Sequence, residues 1–302
     1  MNERRPAGWL VDGSLVLMTL IWGVTFVVVK GALADCSPTL FNLLRMVLAS
    51  VVLLGIYRPR LASIERREWL GGIMVGALLA AGYQFQTIGL KYTTASKSAF
   101  ITGAVVVLVP LFTGTAALLF RQRGHFQRPR PRAYAGALLA FAGLGVLTLP
   151  AGSSPRAVLG GINPGDALTF GCSIAFAMHV VVMSRVAKFT SYSLLAILQS
   201  CFAAAFLLLC LPVFETPHLH ATPRLALALA ITAILATAVA FTVQSYVQSI
   251  LPPTNVALLL AMEPVFAWIT SYFLLRERLG VRGGIGAAMV MAGILVTELR
   301  WK

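Results

Sequence analysis

The strongest constraint in this sequence is the recurrence, from residue 10 to residue 299, of long apolar runs separated by short polar stretches. A helix needs ~20 apolar residues to cross the hydrocarbon core of a bilayer. Ten runs of that kind can be placed, at 11–33, 38–57, 67–89, 97–120, 132–150, 165–186, 192–212, 224–249, 254–275 and 281–299. The runs are continuous rather than alternating, which predicts helices and not barrel strands. In lipid, each helix satisfies its own backbone polar groups. Hydrophobic residues make up 58% of the chain and charged ones 11%, against 45–50% and ~25% in soluble domains. That balance excludes a soluble globular fold, and so high an apolar content also excludes disorder. The predicted class is all-α integral membrane, with short loops.

Turn chemistry punctuates the runs: Ser37-Pro38, Arg58-Pro59, Gln127 to Pro131, Ala151 to Pro155, Pro217 to Pro223 and Pro252-Pro253. Arg4 and Arg5 precede the first run without a cleavage site after a short apolar core, so residues 11–33 read as a retained span. The formal net charge is +14. On a soluble chain that would suggest nucleic acid; here the bases cluster in membrane-flanking loops, and there is no basic domain to dock DNA. With the N-terminus in the cytoplasm, 15 Lys and Arg fall inside and 8 outside, with Arg45 inside a span. This is the positive-inside pattern. It is strong in the first half and poor in the second, where Arg276, Arg278 and Arg282 fall outside. Cys36, Cys172, Cys201 and Cys210 form no CxxC, so no disulfide framework or zinc site is signalled. His218 and His220 supply only two ligands, and no metal or cofactor is expected.

The halves of the chain resemble each other. At an offset of 154, Trp22-Gly23 falls on Phe176-Ala177, Val27-Val28 on Val181-Val182, Leu43-Leu44-Arg45 on Ile197-Leu198-Gln199, and Pro110-Leu111-Phe112 on Pro264-Val265-Phe266. An offset of 150 aligns Arg132, Gly136 and Gly143 with Arg282, Gly286 and Gly293. The third and eighth runs align less well. Five spans is an odd number, so the second unit, 151–302, enters the membrane from the side opposite to the first, 1–150. Two inverted five-helix repeats place a solute site near the midplane between them.

The motifs resemble those of the drug/metabolite transporter superfamily, in its ten-helix EamA type. They are Trp22 to Phe26 with Lys30, Leu44-Arg45 with Ala49, Thr93 to Ser96, Glu263 to Phe266 leading to Leu275-Arg276-Glu277-Arg278-Leu279, and Gly286-Ala287 with Ala292-Gly293-Ile294. One departure is Arg121-Gln122-Arg123, where the second half carries Glu277. The resemblance implies two inverted bundles, both termini cytoplasmic in a plasma membrane of bacterial inner-membrane type, and movement of amino acids and other small metabolites. It also implies a cavity lined by spans 1, 3, 4, 6, 8 and 9.

An ionisable side chain inside the bilayer costs ~2.5–3.5 kcal/mol and needs a reason. Glu263 lies near the middle of the ninth run, on a helical face with Asn255, Leu259, Phe266 and Thr270. It could exchange a proton with the solute or anchor the break at Pro264. Arg45 could clamp a carboxylate bidentately or pair with Glu263; its repeat partner is Gln199. His179 could relay protons or serve as an interhelical donor. Thr237, Phe241, Gln244 and Gln248 share one helical face of the eighth run, and Tyr83 and Gln86 one face of the third, with Gln84 beside them. Neutral amides near aromatics suit a polar solute or helix-to-helix hydrogen bonds. Trp22 sits mid-span and reads as cavity lining. Gly72, Gly76, Gly136, Gly143, Gly286 and Gly293, with Pro110 and Pro264, read as packing residues.

The expected function is a secondary transporter whose partners are a small solute and membrane lipid. No GxxxxGK[ST] loop implies an ATPase subunit. A channel or lipid-handling protein would need a continuous wide path. A membrane enzyme would want paired carboxylates, a metal cluster or an activated nucleophile, and Glu263 is the one acid placed mid-membrane.

Overall fold

A computed structural model describes residues 8–58, 63–119, 131–148, 162–251, 253–260 and 262–298. The chain is nearly all helix. Its elements are α1 Gly8–Ala32, α2 Pro38–Tyr57, α3 Arg66–Tyr92, α4 Ala95–Thr102, α5 Val105–Leu119, α6 Pro131–Thr148, α7 Pro164–Val186, α8 Tyr192–Phe214, α9 Pro223–Ala230, a π-helical segment Ile231–Val239, α10 Ala240–Ile250, α11 Pro253–Leu260, α12 Glu263–Leu275 and α13 Gly280–Glu298. Among the described residues, seven helical stretches are long and apolar enough to cross a membrane, and Tyr134–Leu147 and Gly280–Val296 are shorter apolar helices. The one extended pairing among the described residues is the single bridge between Cys36 and Leu219.

Helix starts fall at prolines and capping side chains, and two of these prolines, Pro38 and Pro223, are among those that punctuate the sequence. Pro38, Pro164 and Pro223 occupy the first turns of α2, α7 and α9, where a missing N–H costs nothing. Asn163, Ser191 and Thr222 cap α7, α8 and α9 with side-chain oxygens, each satisfying a backbone donor the helix leaves free.

Three runs depart from a regular helix. The fourth breaks between Thr102 and Val105. A Cβ on Gly103 would lie 2.7 Å from Cγ of Pro264, so the backbone here touches the opposite half directly. The ninth breaks between Leu260 and Glu263, because the Pro264 ring would clash with the carbonyl one turn back and fits only in the first turn of a new helix. The face expected to run unbroken through Asn255, Leu259, Glu263, Phe266 and Thr270 is therefore divided; the side chains of Asn255 and Leu259 lie outside the described residues. Pro110, set against Pro264 by the offset of 154, sits inside α5 without ending it; the breaks themselves stand 158 residues apart, after Thr102 and after Leu260. The eighth run winds as a π-helix over Ile231–Val239. Thr237 Oγ1 donates to Thr232 O, five residues back, at 2.7 Å. The single face expected for Thr237, Phe241, Gln244 and Gln248 is split by that change of pitch.

Helix pairing repeats between the halves. α1 packs on α12 as α7 packs on α4 and α5; α3 packs on α8 as α2 packs on the π-segment. α2 pairs with α8, and α6 with α13. The last pair runs antiparallel: a Cβ on Gly293 would lie 2.5 Å from Gly136 O and Ala140 N, and one on Gly286 2.7 Å from Leu147 N. Gly72 faces Leu198, and Gly76 faces Phe202 with the backbone of Gln199 and Ala203. These glycines let helix backbones approach closely.

The loops sort to two ends. At one, four carboxylates cross between the halves. Asp35 accepts from Thr222 and Arg224 at 2.8 and 2.9 Å. Glu215 accepts from Leu40 N at 2.9 Å. Asp166 meets Lys97 at 2.5 Å and Thr93 Oγ1 at 2.6 Å. Glu277 accepts from Ala95 N, Ser96 N and Ser96 Oγ at 2.8–3.1 Å, so the second half caps α4. At the other end the halves meet through rings, Tyr57 on Tyr192 and Arg67 over Phe189. The start of α1 and the end of α13 belong to this second end. Arg121, Gln122 and Arg123 lie outside the described residues.

Candidate functional site

A cavity of about 60 Å³ lies inside the bundle. That is room for a handful of waters at 10–15 Å³ each, well below the ~300 Å³ of a pocket enclosing a drug-sized ligand. Its wall draws on α1, α3, α4, α5, α7, α10, α11 and α12.

The wall is built from matched pairs. Trp22, Thr25 and Phe26 from α1 stand 154 residues before Phe176, His179 and Val180 from α7. Tyr83 and Gln86 from α3 stand 158 residues before Phe241 and Gln244 from α10. Thr102 and Val105 stand 158 residues before Leu260 and Glu263. The offset changes by four residues between the second and third spans, which is why the third and eighth runs resisted alignment at 154. At the last pair the halves differ in kind: a valine on one side faces the role of a carboxylate on the other.

Aromatic rings close the cavity on one side. Phe241, Tyr83, Phe176 and His179 contact one another in a cycle, with centroids 6.2, 5.3, 6.5 and 5.8 Å apart and near-perpendicular planes. Edge-to-face geometry of this kind is the favoured arrangement. Trp22 joins the cycle 5.5 Å from Phe241. Its Nε1 donates to Ala236 O at 2.9 Å, a carbonyl of the π-segment.

Glu263 is half-buried on the wall, in the first turn of α12. Neither it nor Gln86 hydrogen-bonds or ion-pairs with a described residue, and the buried Oε1 of Gln244 has no partner. Arg45 is not on the wall. It is 2% exposed, lies 4.0 Å over the Tyr83 ring, and donates to Thr237 Oγ1 at 2.7 Å, Tyr83 OH at 2.8 Å and Ala236 O at 3.3 Å. Its pairing with Glu263 is not formed; it braces Tyr83 against the π-segment. His179 Nε2 meets Gln199 Oε1 at 3.0 Å, and Gln199 Nε2 donates to Ser245 at 3.3 Å. Gln84 donates to Thr39 at 2.6 Å, away from the cavity, and Gln248 points to Val180 O at 3.5 Å.

Of the residues singled out in the sequence, the fold thus gathers Trp22, Tyr83, Gln86, His179, Gln244 and Glu263 on the cavity and leaves Arg45, Gln84, Gln199 and Gln248 behind it. Phe176 and Thr102 went unnoticed as candidates. Phe176 carried a signal, since it is the repeat partner of Trp22.

Outside the spans, Asp35 is held below the usual carboxylate range by its hydrogen bond from Thr222, then by Arg224. Burial pushes the neighbouring Cys36 thiol up to about 11.

Comparison with known proteins gives these features a family. The model of the EamA-like transporter family matches residues 9–149 and again 163–299. An uncharacterized transporter of Archaeoglobus fulgidus is 34% identical over 289 residues, 96% of this chain and 86% of that protein. A second from the same organism is 26% identical over 295 residues, 95% of this chain and 96% of that one. A solved crystal structure with 20% identity superposes at a TM-score of 0.67, covering 95% of this chain and 96% of its own, and supports the fold. With two matched units, a bundle of apolar helices and relatives named as transporters, the chain is a multi-pass membrane protein and belongs to the EamA-like transporter family.

Proposed function

We propose that this protein is a secondary transporter moving small organic metabolites, amino acids among them, across a plasma membrane by alternating access. The observation that carries the reading is the cavity wall, made of equivalent residues from the units 1–150 and 151–302. A site shared by two inverted halves becomes accessible from either side when one half rocks against the other. The carboxylate links at one end and the looser ring contacts at the other fit a molecule sealed on one side, and the small cavity fits an occluded site. A channel would need an open path instead. Both termini lie in the cytoplasm in this reading, which puts the carboxylate end outside. The free carboxyl of Glu263 makes proton coupling the first drive to test.

The experiment is solute flux into proteoliposomes, with and without a pH gradient, for wild type and Glu263→Gln. Wild type is expected to show solute counterflow, and the variant to lose its dependence on the gradient. Equal fluxes in the two proteins would remove the proton role. Absence of counterflow across a broad metabolite panel would remove the transporter reading.

A further inference from the structure

We propose that the cavity selects solutes carrying an ammonium group and no carboxylate, that is, protonated amines or quaternary ammonium compounds. The inference rests on the transporter reading and narrows it, setting aside the amino acids named there.

Charge is the first argument. Among the described residues, Glu263 is the one acid on the wall, and no Lys or Arg shares the wall with it. Arg45 stands off the wall, with its Nε and one terminal nitrogen donating to Thr237, Tyr83 and Ala236. Lys30 donates to the carbonyls of Leu90 and Thr93. A half-buried carboxylate with no partner among the described residues is costly, and a cationic solute relieves that cost. A solute carboxylate would meet Glu263 with nothing positive to hold it.

The rings are the second argument. Phe241, Tyr83 and Phe176, with Trp22 beside them, make a continuous aromatic wall on the same cavity. Aromatic faces carry the negative side of the ring quadrupole and attract ammonium groups, most strongly when water is excluded. The third argument is hydrogen bonding. Neither Gln86 nor Gln244 Oε1 has a hydrogen-bond partner among the described residues, so amide oxygens remain to accept N–H donors of a primary amine.

The symmetry of the wall sharpens the assignment. Six of its seven matched pairs join apolar or neutral polar groups, or His179 bonded to Gln199. Only the Val105 and Glu263 pair differs by a charge. The single negative group is thus the one place where the second half departs from the first in electrostatics.

The test uses the purified protein and four phenyl compounds differing in charge: phenyltrimethylammonium, phenethylamine, phenylalanine and phenylacetate. Binding is read from tryptophan fluorescence. The first two are expected to bind at least tenfold more tightly than the last two. Phenyltrimethylammonium carries a permanent charge and no proton, so its binding reports the cation site and not proton exchange. Glu263→Gln is expected to weaken it at least tenfold, and Phe241→Leu about threefold or more. Should either variant be unstable, wild type alone suffices: acidification must displace phenyltrimethylammonium as Glu263 takes a proton. Among the described residues, the titratable groups around Glu263 are Tyr83 on α3 and His179 and Cys172 on α7. Binding of phenylalanine or phenylacetate as tight as that of the amines overturns the proposal, as does a folded Glu263→Gln protein that binds phenyltrimethylammonium like wild type. Counterflow separates the two readings. Exchange of neutral or acidic solutes but not amines sinks the ammonium assignment and leaves a transporter; exchange of nothing sinks both.

Discussion

Gly293→Ala and Gly284→Ala put the same methyl group on the same helix, α13, in opposite surroundings. At Gly293 the new Cβ would lie 2.5 Å from Gly136 O and Ala140 N, whereas ordinary contact begins at 3.4 Å. Both neighbours are backbone, so no side chain can swing away, and α6 and α13 must part by about 0.9 Å. A gap of 0.5–1 Å forfeits a quarter to a half of each dispersion contact along the seam. Overpacking costs about 1–3 kcal/mol, and a backbone contact puts this case toward the upper end. At ~2–4 °C per kcal/mol, the apparent unfolding temperature should fall by roughly 5–10 °C. At Gly284 nothing lies within 4 Å. There the substitution removes only glycine's excess backbone freedom, about 0.8–1 kcal/mol, and the same temperature should rise by about 2–4 °C. The assay is thermal unfolding of the purified proteins in one detergent, followed by intrinsic fluorescence. A Gly293→Ala protein that melts with wild type, or two variants that shift in the same direction, would refute the close α6–α13 packing.

Other expectations follow from the same geometry. Arg45→Lys keeps the charge but loses the Nε bond to Thr237 and the planar stack on Tyr83; it should destabilise by ~1–3 kcal/mol and lower flux, measured by melting and counterflow, and an Arg45→Lys protein with wild-type values would contradict the bracing role. Because Asp35 is held below its ordinary value of 3.8, its contribution is complete above that pH and is lost as pH falls through the lower folded value. Acidification below 3.8 should therefore destabilise wild type more than Asp35→Asn, read as the pH dependence of the melting temperature. Cys36 sits in a loop yet is fully buried, with its thiol pushed up to about 11. At pH 7 it should resist maleimide, and Arg224→Ala, which loosens the Asp35 link beside it, should speed labelling several-fold; rapid labelling of wild type would contradict the sealed end.

What the sequence made legible was whatever depends on period and punctuation. Hydropathy located the helices, because lipid demands long apolar helices, and turn punctuation marked the starts at Pro38 and Pro223. The small-residue stripes at Gly72, Gly76, Gly143 and Gly293 told where backbones touch. The pairing of Trp22 with Phe176 could be read from the offset of 154, and with it half of the cavity wall. Other features arise from tertiary contacts that leave no periodic trace. The break at Gly103 exists because Pro264 of the other half presses on it. The π-segment displaces Thr237 and Ala236 toward Arg45, so a residue that looked like a solute clamp became a brace. Glu277, read only as part of a motif, caps α4 across the interface. The poor charge bias of the second half has a partial reason in such links: Arg224 is tied to Asp35, an acid the base count ignores.

The central claim is that one cavity between the two halves opens to each side of the membrane in turn. Gln86 lines that cavity, is half-buried and has no partner among the described residues. With the four native cysteines replaced by alanine, a Gln86→Cys protein in sealed vesicles can be treated with a membrane-impermeant maleimide from either face. The account predicts labelling from both faces, slowed from both by a transported solute. Labelling from one face only, unaffected by any solute that the vesicles exchange, would contradict it.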